Sequence, residues 1–166
     1  MSNLPPYVGR ALIVVVADLH PHDDDTDDTA DLVTELLTEA GFVVYGSVTV
    51  PSEEAVVRNA LNTAVIGGVD LVVTIGGTGV SARDVVPDVT AEILDRELPG
   101  VTEALRWSGM TAGVVEAVVS RGLCGVSGST LVANIAGSRP AIRDGLATLS
   151  PLAAYIVSEL SSVDDL

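Results

Sequence analysis

The 166-residue chain predicts a single α/β domain over residues 1–166, in three layers, with a mostly parallel sheet carrying helices on both faces. Three observations predict it. Short aliphatic, β-branched runs alternate with longer segments of helical period, the pattern of parallel strands joined by crossover helices. The run Leu71-Val72-Val73-Thr74-Ile75 is apolar on both side-chain parities, which suits a central strand covered on both faces. Hydrophobic residues make up 48% of the chain and aromatics only 3%, so the core must be built from Val, Leu, Ile and Ala. The length suffices for one domain with such a core.

The elements follow in order. Ala11–Ala17 reads as a first buried strand. A polar segment from Asp18 to Asp28 follows, holding six aspartates and both histidines. The spacing of Leu32, Val33, Leu36, Leu37 and Ala40 predicts a helix over 29–40, with Gly41 placed to end it. Val43–Val50 is a second strand. Pro51-Ser52-Glu53-Glu54 opens a second helix, with Ser52 as cap and two glutamates at the positive end of the dipole. The third strand, Val69–Ile75, runs into Gly76-Gly77-Thr78-Gly79. Pro87 then starts a helix to about Leu98. Residues 102–120 read as largely helical, with a break near Ser108-Gly109. Thr130–Ile135 is a further strand, and a last helix begins near Pro140, with Pro151 expected to kink or divide it. In such folds ligands bind beyond the carboxyl ends of the strands. Asp18, Ser52, the Gly76–Gly79 turn and Gly137-Ser138 all follow strand ends, so they are expected along one edge.

The glycine turn carries the chemistry. Gly76, Gly77 and Gly79 lack a Cβ, so the backbone can turn sharply and approach a ligand closely. Successive N–H groups in such a turn attract anions, typically phosphate. Asp84 stands close by, and a carboxylate there repels phosphate unless a cation such as Mg²⁺ sits between them. The alternative is that Asp84 simply caps the helix opening at Pro87.

Charge and cysteine usage narrow the remaining classes. The formal net charge is −15; all eight basic residues are arginine, and there is no lysine. Abundant aspartate without lysine fits a halophilic protein, whose self-repulsion is screened by salt. The acidic balance argues against a nucleic-acid partner, which needs a basic footprint. No apolar run reaches membrane-spanning length, and the N-terminal residues lack the features of a signal peptide. Cys124 is the only cysteine, which suits the cytoplasm and reads as a small buried hydrophobe. His20 and His22 with the aspartates have the donors for a divalent ion, but a solvated acidic loop explains them more simply. Residues 113–119, rich in small apolar side chains, read as core or as a subunit contact.

Thr74-Ile75-Gly76-Gly77-Thr78-Gly79, followed by Arg83-Asp84 and Pro87-Asp88, resembles the signature of the molybdopterin adenylyltransferases, the MoaB/Mog family. The resemblance runs from about Ala11 to Ile156. It extends to Glu103, Arg106 and Ser108, to Ser120-Arg121, and to Asn134-Ile135-Ala136-Gly137-Ser138-Arg139-Pro140. It implies a molybdopterin-binding-like fold and Mg²⁺-dependent transfer of AMP from ATP to molybdopterin. It further implies that Asp84 is catalytic and holds the metal, and that Gly76, Gly77, Thr78 and Gly79 bind phosphate. Ser108, Gly137 and Ser138 would help hold the pterin. Family members form homotrimers, sometimes paired into hexamers. Arg83 and Arg106 stay open between ligand contacts and salt bridges, and Ser108 and Ser138 between ligand contacts and local caps.

The sequence departs from the family pattern at three places. Ser52, followed by Glu53, stands where the family has an acid. Thr29-Ala30-Asp31 replaces Ser-Gly-Asp, and Ile135-Ala136-Gly137 replaces Leu-Pro-Gly. The first departure supports an alternative: a non-catalytic protein that binds or carries molybdopterin on the same fold.

Overall fold

The computed structural model describes residues 3–17 and 25–163. Its elements are β1 (Gly9–Val16), α1 (Asp25–Glu39), β2 (Phe42–Val50), α2 (Glu54–Ile66), β3 (Leu71–Ile75), α3 (Val86–Ile93), β4 (Arg96–Glu97), α4 (Pro99–Thr111), α5 (Val115–Val118), β5 (Cys124–Ser127), β6 (Thr130–Ile135) and α6 (Arg139–Val163). The six strands form one sheet in the order β2-β1-β3-β6-β5-β4. β2, β1, β3 and β6 run parallel, while β5 and β4 return antiparallel at one end. The expected three-layer, mostly parallel architecture is therefore the one observed.

Side-chain parity divides the core. Ala11, Ile13 and Val15 of β1, with Leu71, Val73 and Ile75 of β3 and Leu131, Ala133 and Ile135 of β6, pack one face against α1, α4 and α6. Val14, Val16, Val72 and Val132 pack the opposite face against Val57 and Leu61 of α2 and Val86 and Val89 of α3. Strands buried on both faces need this near-continuous apolar run, which is why β1 and β3 are legible as strands. The four parallel strands end together, so their following loops share one edge of the sheet.

Several expected boundaries shift. α1 begins at Asp25, four residues before the expected start. α2 begins at Glu54 with Glu53 as N-cap, and no side chain makes the capping bond, so Ser52 does not cap it. α3 stops at Ile93 because Leu94 turns extended, at φ −72° and ψ 131°, to lead into β4. The helical break lies at 112–114, where Gly113 adopts φ +75°. Gly109 instead stays inside α4, buried, where a Cβ would come within 2.5 Å of the Ala117 Cβ. It is a packing glycine that lets α5 fold back onto α4. Pro151 neither divides nor ends α6, which runs on to Val163 with the proline ring exposed. Residues 113–119 are not core: Val115 is 74% and Val119 52% exposed. Asp18, His20 and His22 lie outside the described residues.

Cys124 is fully buried in the β5 backbone layer, and burial pushes its thiol up to about 12. A thiol so protonated is a poor nucleophile. The native protein should therefore resist a disulfide-exchange reagent at pH 8, and one thiol should react on unfolding in denaturant. Rapid labelling of the native chain would contradict this burial.

Candidate functional site

The site is built where β3 leaves the sheet. Gly76 (φ +93°) and Gly77 (φ +67°) take left-handed conformations that other residues reach only at a cost of about 1–2 kcal/mol each. Space enforces the same choice. A Cβ at Gly76 would lie 2.7 Å from the Val16 carbonyl oxygen, and one at Gly77 would lie 2.6 Å from the Val86 side chain. The Gly76 N–H donates to the Ile135 carbonyl at 2.9 Å, tying the turn to the end of β6. Gly137 sits directly across, where a Cβ would approach the Gly76 Cα to 3.2 Å.

The hydrogen bonds of the turn sort its amides from its carbonyls. The Gly77 carbonyl accepts from the Val86 N–H at 3.3 Å, and the Thr78 carbonyl accepts from the Arg121 N–H at 2.8 Å. The Gly79 carbonyl accepts from Arg121 Nε at 2.8 Å. Every carbonyl from Gly77 to Gly79 is thus turned toward a protein donor. The Gly77 and Thr78 amides donate to no partner among the described residues. The anion-binding amides expected of the whole Gly76–Gly79 turn therefore reduce to these two, because the Gly76 amide is spent on β6 and the Asp84 carboxylate already lies against Gly79.

Asp84 closes the loop on itself. Its Oδ2 accepts the Ser81 N–H at 3.0 Å and the Ser81 hydroxyl at 2.8 Å. Partial burial works to raise its pKa, but bonds from Ser81 and from the Gly79 amide, with the Arg121 charge behind, outweigh it. The carboxyl is held below the ordinary aspartate value of 3.8. A depressed folded value means that Asp84 stabilises the fold above the unfolded pKa and loses that contribution as the pH falls through the folded one. At neutral pH it is an anion. The capping alternative is not realised: Val85 is the N-cap of α3 and no side chain caps it. The ionised Asp84 carboxylate is a single oxygen ligand, and the two open amides suit phosphate oxygens; that combination fits Mg²⁺, which binds through one or two carboxylates together with substrate phosphates.

The remaining expected residues are placed as follows. The Gly137 N–H donates to Glu116 Oε1 at 3.1 Å, so a side chain of α5 already occupies this amide. The Ser138 hydroxyl accepts the Ala141 N–H at 3.3 Å, capping α6. The Ser108 hydroxyl donates to Asp144 Oδ1 at 2.9 Å and accepts from Thr148 at 2.9 Å, joining α4 to α6. Asp144 Oδ2, by contrast, is buried without a partner among the described residues. Arg106 donates to the carbonyls of Ser120 and Gly122, at 3.2 and 3.3 Å. It braces the segment that presents Arg121 and makes no salt bridge among the described residues. Near this segment a small cavity of about 30 Å³ is lined by Leu105, Arg106, Ala117, Ser120, Asn134 and Gly145, among others.

Two contributors escaped sequence reasoning. Arg121 was recognised only as part of a Ser-Arg pair. Asn134, also read only as a motif residue, holds Thr74 at 2.9 Å and Thr90 at 3.1 Å through its amide nitrogen. Its amide oxygen accepts from the Leu123 N–H at 2.9 Å. An asparagine inside an otherwise apolar strand was the available signal, since a buried amide needs partners.

Comparison with known proteins agrees with this architecture. Residues 8–154 match the family model described as a probable molybdopterin binding domain. A crystal structure of a molybdopterin biosynthesis protein from Mycobacterium abscessus shares 60% identity, with a TM-score of 0.90 over 95% of this chain and 99% of that one. A molybdenum cofactor biosynthesis bifunctional protein from Chlorobaculum tepidum is 34% identical over 90% of this chain and 48% of its own length. A molybdopterin adenylyltransferase from Helicobacter pylori is 36% identical over 53% of this chain and 49% of its own. The chain spans about half the length, or less, of the curated relatives it matches first.

Proposed function

The chain belongs to the molybdopterin-binding-domain family, and from that premise we propose that it acts in molybdenum cofactor biosynthesis as a molybdopterin adenylyltransferase. In the proposed reaction a terminal phosphate oxygen of molybdopterin attacks the α-phosphorus of ATP. The bond to the bridging oxygen breaks, and pyrophosphate leaves with adenylyl-molybdopterin as product. Such transfers need positioning and charge neutralisation more than covalent help from the protein. The observation that carries the reading is the β3 turn, with its carbonyls withdrawn and two amides open beside an ionised Asp84.

The residues divide the work accordingly. The Gly77 and Thr78 amides hold phosphate oxygens. Asp84 would hold Mg²⁺, which when bound would supply charge neutralisation for the triphosphate. Gly137 and Ser138 lie at the adjoining strand end and border the pterin side. A ligand contact to the Gly137 amide requires Glu116 to withdraw. Ser108 contributes by fixing α4 to α6 at the rim. The proposal extends to a cytoplasmic homotrimer or hexamer, supported by the exposed apolar residues Trp107, Met110 and Val115.

One observation favours the non-catalytic alternative. Ser52 stands where a second acid is expected, and of the two glutamates that follow, Glu54 lies 3.9 Å from Arg58 in a helix-surface pair. One assay separates the readings. Protein mixed with molybdopterin, ATP and Mg²⁺ in molar KCl should release pyrophosphate. Binding of molybdopterin without pyrophosphate would leave a carrier and sink the enzyme.

A further inference from the structure

We propose that Arg121 is the positioning residue that makes the β3 glycine turn an anion receptor, a role that rests on the phosphate-binding reading of that turn. Arg121 lies in the connection between α5 and β5, 42 positions along the chain from Gly79. Its Nε donates to the Gly79 carbonyl at 2.8 Å and its Nη2 to the Asp84 carbonyl at 2.6 Å. Its own backbone N–H takes the Thr78 carbonyl. The far side of the guanidinium meets both Asp88 carboxylate oxygens at 3.4 Å, at the start of α3. One residue thus gathers three carbonyls from both ends of the loop.

The consequence is electrostatic. A carbonyl facing a phosphate repels it, and an amide attracts it. A peptide turn offers both groups in equal number, so it binds anions only if its carbonyls are held away. Arg121 does this for Thr78, Gly79 and Asp84, leaving the Gly77 and Thr78 amides without a competing acceptor. The fork geometry is essential, because two donors on one rigid plane reach two carbonyls at once. A lysine has the charge and three donors, but they rotate on one nitrogen at the end of a flexible stem, so it does not fix the two carbonyls in one geometry. The segment is itself anchored: Arg106 takes the Ser120 and Gly122 carbonyls, and Asn134 takes the Leu123 amide. The guanidinium, although exposed, is held between the Gly79 and Asp84 carbonyls and the Asp88 carboxylate.

The test is titration of the full chain with MgATP, followed by amide NMR and by calorimetry. In the wild type, the Gly77 and Thr78 amide resonances should shift on binding. Arg121→Lys and Arg121→Ala should each weaken MgATP about tenfold or more, and should alter these amide signals before any nucleotide is added. Because lysine preserves the charge, its failure to restore affinity identifies the fork as the active feature. Restoration of wild-type affinity by Arg121→Lys, or unchanged binding by Arg121→Ala, overturns the proposal while the phosphate-binding reading stands. A wild-type protein whose loop amides ignore MgATP removes that reading and this proposal together. Should Arg121→Ala fail to fold, Arg121→Lys carries the test, and loss of folding by both makes Arg121 a stability residue and also overturns it.

Discussion

Replacement of Asp84 by asparagine should lower pyrophosphate formation by about a hundredfold or more, with only a small fall in melting temperature from the lost charge. Asparagine keeps the shape of the side chain and an oxygen able to accept from Ser81, so the loop closure that Asp84 makes at 2.8 and 3.0 Å survives. What disappears is the negative charge that the loop maintains by holding this carboxyl below its ordinary pKa. A neutral amide has much weaker affinity for a divalent cation than a carboxylate has. The triphosphate then meets the loop without a bridging charge. Asp84→Ala removes the closure as well, so it should show the same loss of turnover together with a looser loop. Comparing the two variants separates the charge from the scaffold. If Asp84→Asn turns over like the wild type, Asp84 is not the metal-binding acid, and its role is the loop closure already visible. The pH profile offers a second check. An aspartate ionised throughout the neutral range contributes no ionisation step there, so any step near neutrality must come from another group or from substrate.

Much of this site was legible in the chain, and the reason lies in which interactions are local. Gly76 and Gly77 announced themselves because a β-branched strand followed by adjacent glycines has few other uses. The structure explains both, through positive φ and through the closeness of Val16 and Val86. The long parallel strands were readable because burial on both faces demands uninterrupted aliphatic residues. β5 and β4 were not readable. β4 is two exposed residues, Arg96 and Glu97, and β5 carries Gly125 where the β4 backbone packs against it. Neither has a period to detect. The fate of individual amides was also hidden. That the Gly79 amide serves Asp84, or that the Gly137 amide serves Glu116 twenty-one residues away, depends on tertiary placement rather than on neighbours in sequence. The helical break was misplaced for a related reason. A glycine inside a helix and a glycine ending one look alike in sequence, and only the approach of Ala117 to Gly109 tells them apart.

Asn134→Leu should cost about 3–4 kcal/mol of stability, a drop of roughly 10 °C in Tm for a domain of this size. Asn134 lies in β6 opposite Thr74 of β3, on the face that α3 covers. It is 3% exposed, and its two threonine partners are fully buried. One amide group therefore satisfies a strand neighbour, a helix residue and the backbone of the segment that carries Arg121. Leucine keeps the branching at Cγ but puts two bulkier methyl groups in place of the amide, so some overpacking adds to the lost hydrogen bonding. The Leu123 N–H and two threonine hydroxyls are left without their partner, and each such group costs about 1–3 kcal/mol when buried. The hydroxyls can partly compensate by bonding each other, which places the total below a simple sum. Asymmetry supplies the control. Removing both sides together, as in Asn134→Leu with Thr74→Val and Thr90→Val, leaves fewer orphaned groups and should recover part of the loss. A thermal melt of the single and triple variants reads this directly. Equal stability of Asn134→Leu and wild type would show that the network contributes nothing net, and a triple variant weaker than the single one would show that packing dominates. Since the same amide steadies Leu123, two residues from Arg121, the single variant should also weaken MgATP binding at temperatures where it remains folded.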